Sequence, residues 1–278
     1  NTIVNDKFCQ NQSACQQAVG SGKWNIYTGP IGNLNESCNL LEFKSVDNIG
    51  NKETKNKNCF FVDETPPEIK KEVGKLKIPC TEGQECNFFV TQQTPITLTC
   101  EDQLPHPSDN VTIHWIIRLD EDDQGFENDA SEVISRGSEN NEEVTIQFTE
   151  SSIHQLEYWC TDAVNKSSQH YFEIDKVDNE PPIIEKTMLG EENKDWIGDC
   201  PPQDENDQCF VVDNGIGGVH VSVQDNQSIH AVNNVECKYT IILDGEEDES
   251  GPFTDEKDIK FKEDSTHDVI IECKDGLG

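Results

Sequence analysis

Positive charge is what this chain has least of. Its 278 residues carry 21 Lys and Arg against 55 Asp and Glu, a formal net charge of −34. Only Arg118 and Arg136 are arginines. A nucleic-acid binder needs a basic face, so that class is excluded. An anionic membrane surface is a poor partner for the same reason. No run of 18 apolar residues, signal peptide or lipidation motif occurs, so no membrane insertion is expected of this segment. There is no GxSxG, no HExxH and no phosphate loop. Adjacent acids such as Asp122-Asp123 and Glu142-Glu143 lie in loops or point to opposite faces of a strand, so they make no acid/base pair. The chain is expected not to be an enzyme and to require no cofactor. CxxC is missing too and the seven His are scattered, which argues against a structural zinc site. No stretch of twelve residues has a helical period.

Cysteine, by contrast, is abundant. Twelve residues is a high, even count. In an oxidising compartment they pair, and each bridge offsets a thin core by roughly 2–4 kcal/mol. The apolar fraction is only 33%, so the staples matter. The expected location is extracellular, at the cell surface.

The chain repeats itself. Val62-Asp63-Glu64-Thr65-Pro66-Pro67 recurs as Val177-Asp178-Asn179-Glu180-Pro181-Pro182. The segment from Phe148 through Cys160 to Asp162 matches, without a gap, the segment from Phe261 through Cys273 to Asp275. Asn110–Asp120 matches Asn234–Asp244, and Leu41–Asn51 stands where the Cys160 and Cys273 regions stand. Three units follow: the later part of one repeat (1–61), a complete repeat (62–176) and a repeat lacking its last strand (177–278). Both termini then fall inside repeats, and the chain is expected to be cut from a longer array.

Within the complete repeat, Asn87–Val90, Ile96–Cys100, Val111–Ile117, Glu143–Phe148, Gln155–Cys160 and His170–Ile174 are short, alternating and rich in β-branched or aromatic residues. Turn-forming residues separate them, so each reads as a strand. Seven or so strands in such a length predict two packed antiparallel sheets, an all-β fold of tandem immunoglobulin-like sandwiches. Cys100, Trp115 and Cys160 have the immunoglobulin spacing, and Tyr158 stands at the place of the tyrosine corner. Cys100–Cys160 is therefore expected to cross the core. In the third repeat Val223 replaces Cys100 and Tyr239 replaces Trp115, which predicts Cys237–Cys273 between neighbouring strands. Cys80–Cys86 and Cys200–Cys209 are expected to close local loops. Cys38 and Cys59 are symmetric about Asn48-Ile49 and suit a hairpin bridge, leaving Cys9–Cys15. Cys15–Cys38 with Cys9–Cys59 is the open alternative.

Five sequons, at Asn11, Asn35, Asn110, Asn165 and Asn226, lie in or beside predicted turns and are expected to carry N-linked glycans in part. Asp63 and Glu64, Asp178 and Glu180 sit at the repeat junctions. Asp102, Asp162, Asp225 and Asp275 sit at strand ends. Ca²⁺ takes six to eight oxygens, and Asp63, Asp102, Asp162, Asp178, Asp225 and Asp275 are the candidate ligands, although no EF-hand loop is present.

Together these motifs resemble the tandem Ig-like repeats of large predicted surface proteins from small-celled archaeal lineages of the DPANN group. The resemblance rests on Val-Asp-x-x-Pro-Pro-x-Ile, on Ile96-Thr-Leu-Thr-Cys100-Glu-Asp-Gln and His106-Pro, and on Tyr27-Thr-Gly-Pro-Ile31. It rests further on Leu156-Glu-Tyr-Trp-Cys160-Thr-Asp and Asp47-Asn-Ile-Gly-Asn51. It implies a surface-layer, sheath or filament role. The implied partners are copies of itself, other surface proteins, or a host-cell surface or glycan. An adhesin is the second expectation, using loops such as Gln103–Asp109 or Glu121–Glu142 and exposed aromatics such as Trp159 or Trp196.

Overall fold

A computed structural model describes residues 12–17, 24–32, 34–103, 110–120, 132–190, 196–198, 209–211, 217–225, 230–262 and 265–278. The first unit holds one short helix, α1 (Gln12–Gln17), and a hairpin of β1 (Ser37–Phe43) and β2 (Asn56–Val62). The hairpin register sets Leu40 opposite Cys59 and Cys38 opposite Phe61. Cys59 instead bonds Cys15, on the helix. This corrects the expected Cys38–Cys59 and Cys9–Cys15 pairs, and the alternative pairing as well. The reason is local. Asp47 and Glu53 accept backbone N–H groups of Ile49, Asn51 and Ser45 inside the connecting loop. The turn thereby takes its own register, and the two cysteines are not opposite each other. Cys38 is disulfide-bonded to a residue outside the described ones.

The middle unit is a two-sheet sandwich. One sheet contains β3 (Glu68–Val73), β6 (Ile96–Glu101) and β9 (Glu143–Ile146), in that order. The other contains β4 (Lys77–Pro79), β5 (Phe88–Val90), β7 (Val111–Asp120), β8 (Glu132–Glu139), β10 (Ile153–Asp162) and β11 (Tyr171–Val177), ordered β4-β5-β11-β10-β7-β8. Alternating residues of both sheets fill the core. Ile96, Leu98 and Cys100 come from β6, Ile113, Trp115 and Ile117 from β7, and Leu156, Tyr158 and Cys160 from β10. Cys100 and Cys160 are bridged, which joins the two sheets. Trp115 faces Gly137 across β7 and β8. A Cβ at that glycine would stand 2.0 Å from the indole, so only glycine fits beneath the ring.

The third unit repeats the frame. One sheet is formed by β12 (Ile183–Leu189), β15 (Gly218–Gln224) and β18 (Glu256–Lys260), and a second by β17 (Glu246–Phe253), β16 (Glu236–Leu243) and β19 (His267–Lys274). A hairpin of β13 (Trp196–Gly198) and β14 (Cys209–Val211) stands apart. Cys237 and Cys273 are directly opposite on β16 and β19 and are bonded. Tyr239 takes the place of Trp115 and faces Gly251. Cys80 and Cys86 close a short loop. Cys209 is disulfide-bonded, while Cys200 lies outside the described residues. Among the described residues no cysteine is free, and no helix is long and apolar enough to cross a membrane.

The middle and third units meet through a buried apolar seam. Phe89, Val232 and Leu277 form its centre, with Ile78 and the Cys80–Cys86 loop packed against them. The linker is fixed from both units: the Asp178 N–H donates to Val90 O of the middle sandwich, and Asp178 Oδ2 accepts the Val232 N–H of the third.

Candidate metal centres at the repeat junctions

The six aspartates singled out from the sequence come together in two groups of three. Asp63, Asp102 and Asp162 form one; Asp178, Asp225 and Asp275 form the other. Within each group the three carboxylate oxygens lie within 4.8 Å of one another. The groups are copies of one design. Asp63 follows β2 and Asp178 follows β11; Asp102 follows β6 and Asp225 follows β15; Asp162 ends β10 and Asp275 follows β19. Each triad thus gathers the linker entering a sandwich and the ends of two of its strands.

Backbone N–H groups hold the carboxylates in place. Asp63 Oδ1 accepts the Thr65 N–H at 3.1 Å. Asp162 Oδ1 accepts those of Val164 and Lys166 at 2.8 and 2.9 Å. In the second triad, Asp275 Oδ1 accepts the N–H groups of Leu277 and Gly278, both at 2.7 Å. Asp178 accepts Glu180 N–H on Oδ1 and Val232 N–H, across the seam, on Oδ2. The first triad keeps a second oxygen in reserve. Asp162 is 5% exposed, yet its Oδ2 has no hydrogen-bond partner, and neither has the buried Oδ2 of Asp63. Burial holds the Asp63 carboxyl above the usual carboxylate range, and the charges of Asp102 and Asp162 add to the effect. Burial does the same to Asp178, with Asp275 contributing.

Three mutually repelling carboxylates, held in place by backbone N–H groups, could cradle a hard cation. Ca²⁺–oxygen bonds of 2.3–2.6 Å allow two ligands of one ion to stand up to roughly 5 Å apart, so each triad fits a single ion. The donors are all oxygen, which favours Ca²⁺ over zinc or copper. Backbone carbonyls and water would complete the shell.

Other expected site residues are placed as follows. Asn35, Asn110 and Asn165 are exposed, open to a glycan, while Asn11 and Asn226 lie outside the described residues. Of the loops, 104–109 and 121–131 also lie outside them, but Glu132–Glu139 is strand β8, paired to β7. Trp196 is not exposed. It is 5% accessible and its indole N–H donates to Leu189 O, which corrects its candidacy as a surface aromatic. Trp159 does lie on the outer face, stacked between His114 and His170 with centroids 5.0 and 4.3 Å away. Tyr158 is buried like a corner tyrosine, but its hydroxyl donates to the Glu173 side chain on β11 rather than to backbone.

Composition gave no warning of the charged group that crosses this core. Lys71 on β3 reaches Glu173 and Asp175 on β11. A sequence signal existed: on β3 and β11 these polar residues alternate in phase with the inward positions.

No family model and no curated protein matches the chain. Among solved structures, the crystal structure of the chicken CNTN1 FN1-FN3 domains is similar to it over 86% of this chain and 73% of that one, at 8% identity and a TM-score of 0.27.

Proposed function

We propose that the chain is a stiff, non-catalytic stretch of a cell-surface protein, whose stacked sandwiches are locked at their junctions by Ca²⁺. Disulfide-stapled β-sandwiches in tandem fit an extracellular or surface protein. The finer reading, a surface-layer, sheath or filament component, is supported by the junctions. Linked domains with small polar interfaces swing freely. Here the second junction has a buried apolar seam, and a triad sits at the start of each of the last two sandwiches. The observation that carries the reading is the buried, partnerless Oδ2 of Asp162 facing two more carboxylates.

Calorimetric titration of the whole chain with Ca²⁺ tests it. Two equivalents are expected to bind. Asp102→Asn and Asp225→Asn should each remove one. In X-ray scattering the particle should be longer and narrower in its distance distribution with Ca²⁺ than with chelator. A chain that binds no Ca²⁺ and scatters identically in both buffers would refute the proposal. The second reading, an adhesin, has one observation in its favour: the outward His114–Trp159–His170 stack.

A further inference from the structure

The charged group buried in the middle sandwich has no place in that reading. The Lys71 side chain is 4% exposed and that of Asp175 fully buried, with Nζ 2.9 Å from Asp175 Oδ2. Lys71 also contacts Glu173 Oε2, and the Tyr158 hydroxyl donates to Glu173 Oε1 at 2.6 Å. The Phe88 ring lies over the ammonium, 5.8 Å from centroid to Nζ. Lys71 is on the first strand of the sandwich and Asp175 on the last, in opposite sheets. A buried ion pair is a weak source of stability, because desolvation consumes most of the attraction. An amine against a carboxyl in a dry site is, however, a near-attack arrangement. Fixed proximity of this kind replaces a large entropic share of a condensation barrier.

We propose that Lys71 and Asp175 become joined by an intramolecular isopeptide bond, with Glu173 as the proton carrier. A proton passes from the Lys71 ammonium to the carboxyl group of Asp175, leaving a neutral amine and a neutral acid. Burial favours this, since it holds the Asp175 carboxyl above the usual carboxylate range despite the charge of Lys71. The amine nitrogen attacks Asp175 Cγ and a C–N bond forms. Glu173 takes a second proton from that nitrogen and delivers it to the departing oxygen. The C–O bond breaks, one water leaves, and Glu173 returns to its starting state. The Tyr158 hydrogen bond keeps Glu173 turned towards the reacting atoms. No oxidant or other reactant is needed. Lys186, at the matching place on β12, is exposed, so the reaction is assigned to the middle sandwich alone.

The bond would suit a stacked surface protein, because tension entering at Asp63 would leave at Asp178 without unfolding the residues between. Its purpose rests on the surface reading; its chemistry does not. The test is the intact mass of the disulfide-bonded, unglycosylated chain in denaturant. The wild type is expected to be one water lighter than its sequence with all bridges formed, and digestion should yield one branched peptide containing Lys71 and Asp175. Lys71→Arg keeps a cation and should have full mass, and Glu173→Gln should slow or abolish the loss. Asp175→Asn should give the same linked product by releasing ammonia instead. A wild type of full mass after prolonged incubation overturns the proposal. So does a missing water that maps to Asp244-Gly245 or Asp275-Gly276. Neither result bears on Ca²⁺ or on stiffness.

Discussion

His154 shows what one residue can reveal about a repeat. Its ring is fully buried, tilted against Phe148 at 4.5 Å, with Nδ1 donating to Ser152 O and no partner for Nε2. His267, which is only partly buried, repeats the ring contact, stacked on Phe261 at 4.6 Å. Recurrence of a histidine at the same place in two units, packed each time on a phenylalanine, argues for architecture over chemistry. The burial has a consequence for pH. Desolvation depresses the His154 pKa from 6.5 to about 4. Below 6.5 the unfolded chain therefore takes up a proton that the fold refuses. The linked stability is full above 6.5 and is lost as pH falls towards 4, by up to roughly 3 kcal/mol. In urea titrations at pH 7.5 and 4.5, His154→Phe should lose less stability than the wild type between the two pH values. Equal losses would show that the histidine is not held neutral. Carboxylates titrating over the same range cancel in the difference.

Strands with an apolar face were legible, because alternation maps directly onto the pleat. β6, β7 and β10 are the clearest cases. β8 was not. Its Glu-Val-Ile-Ser-Arg-Gly-Ser-Glu sequence buries none of its residues, and backbone pairing at the sheet edge maintains it. Their places at repeat junctions and strand ends picked out the six aspartates, but only the fold brings residues 39 to 99 positions apart into triads. The misjudged cysteines of the hairpin show the same limit, since symmetry about a turn cannot give the register that loop hydrogen bonds impose. The bridge between the sheets carries the prediction at this scale. Cys100 and Cys160 are 60 residues apart, and closing such a loop removes about 4 kcal/mol of unfolded-state entropy. Replacing both by Ala should lower the stability of the middle unit by about that amount. A loss below roughly 1 kcal/mol in the double variant would mean that the bridge does little beyond ordinary core packing.

At the scale of the whole molecule, a net charge of −34 sets the background against which any cation acts. Like charges push sandwiches apart, and salt screens them over a Debye length of about 8 Å at physiological strength. Stability is thus expected to rise with NaCl whatever the triads do. The two effects separate at constant ionic strength. Surface charges respond mainly to ionic strength, but a buried triad responds to the ion that fits it. Exchanging Na⁺ for Ca²⁺ without changing ionic strength should raise the melting temperature, and Mg²⁺ should raise it less, because its shorter bonds of about 2.1 Å suit a wide triad poorly. A chain with both Asp162→Asn and Asp275→Asn should retain the NaCl response and lose the Ca²⁺ increment. If this variant kept the increment, the divalent effect would belong to the diffuse acidic surface. If the wild type did not distinguish Ca²⁺ from Mg²⁺, the triads would be acidic clusters without a fitted ion, and the stiffness of the junction would rest on the Phe89, Val232 and Leu277 seam alone.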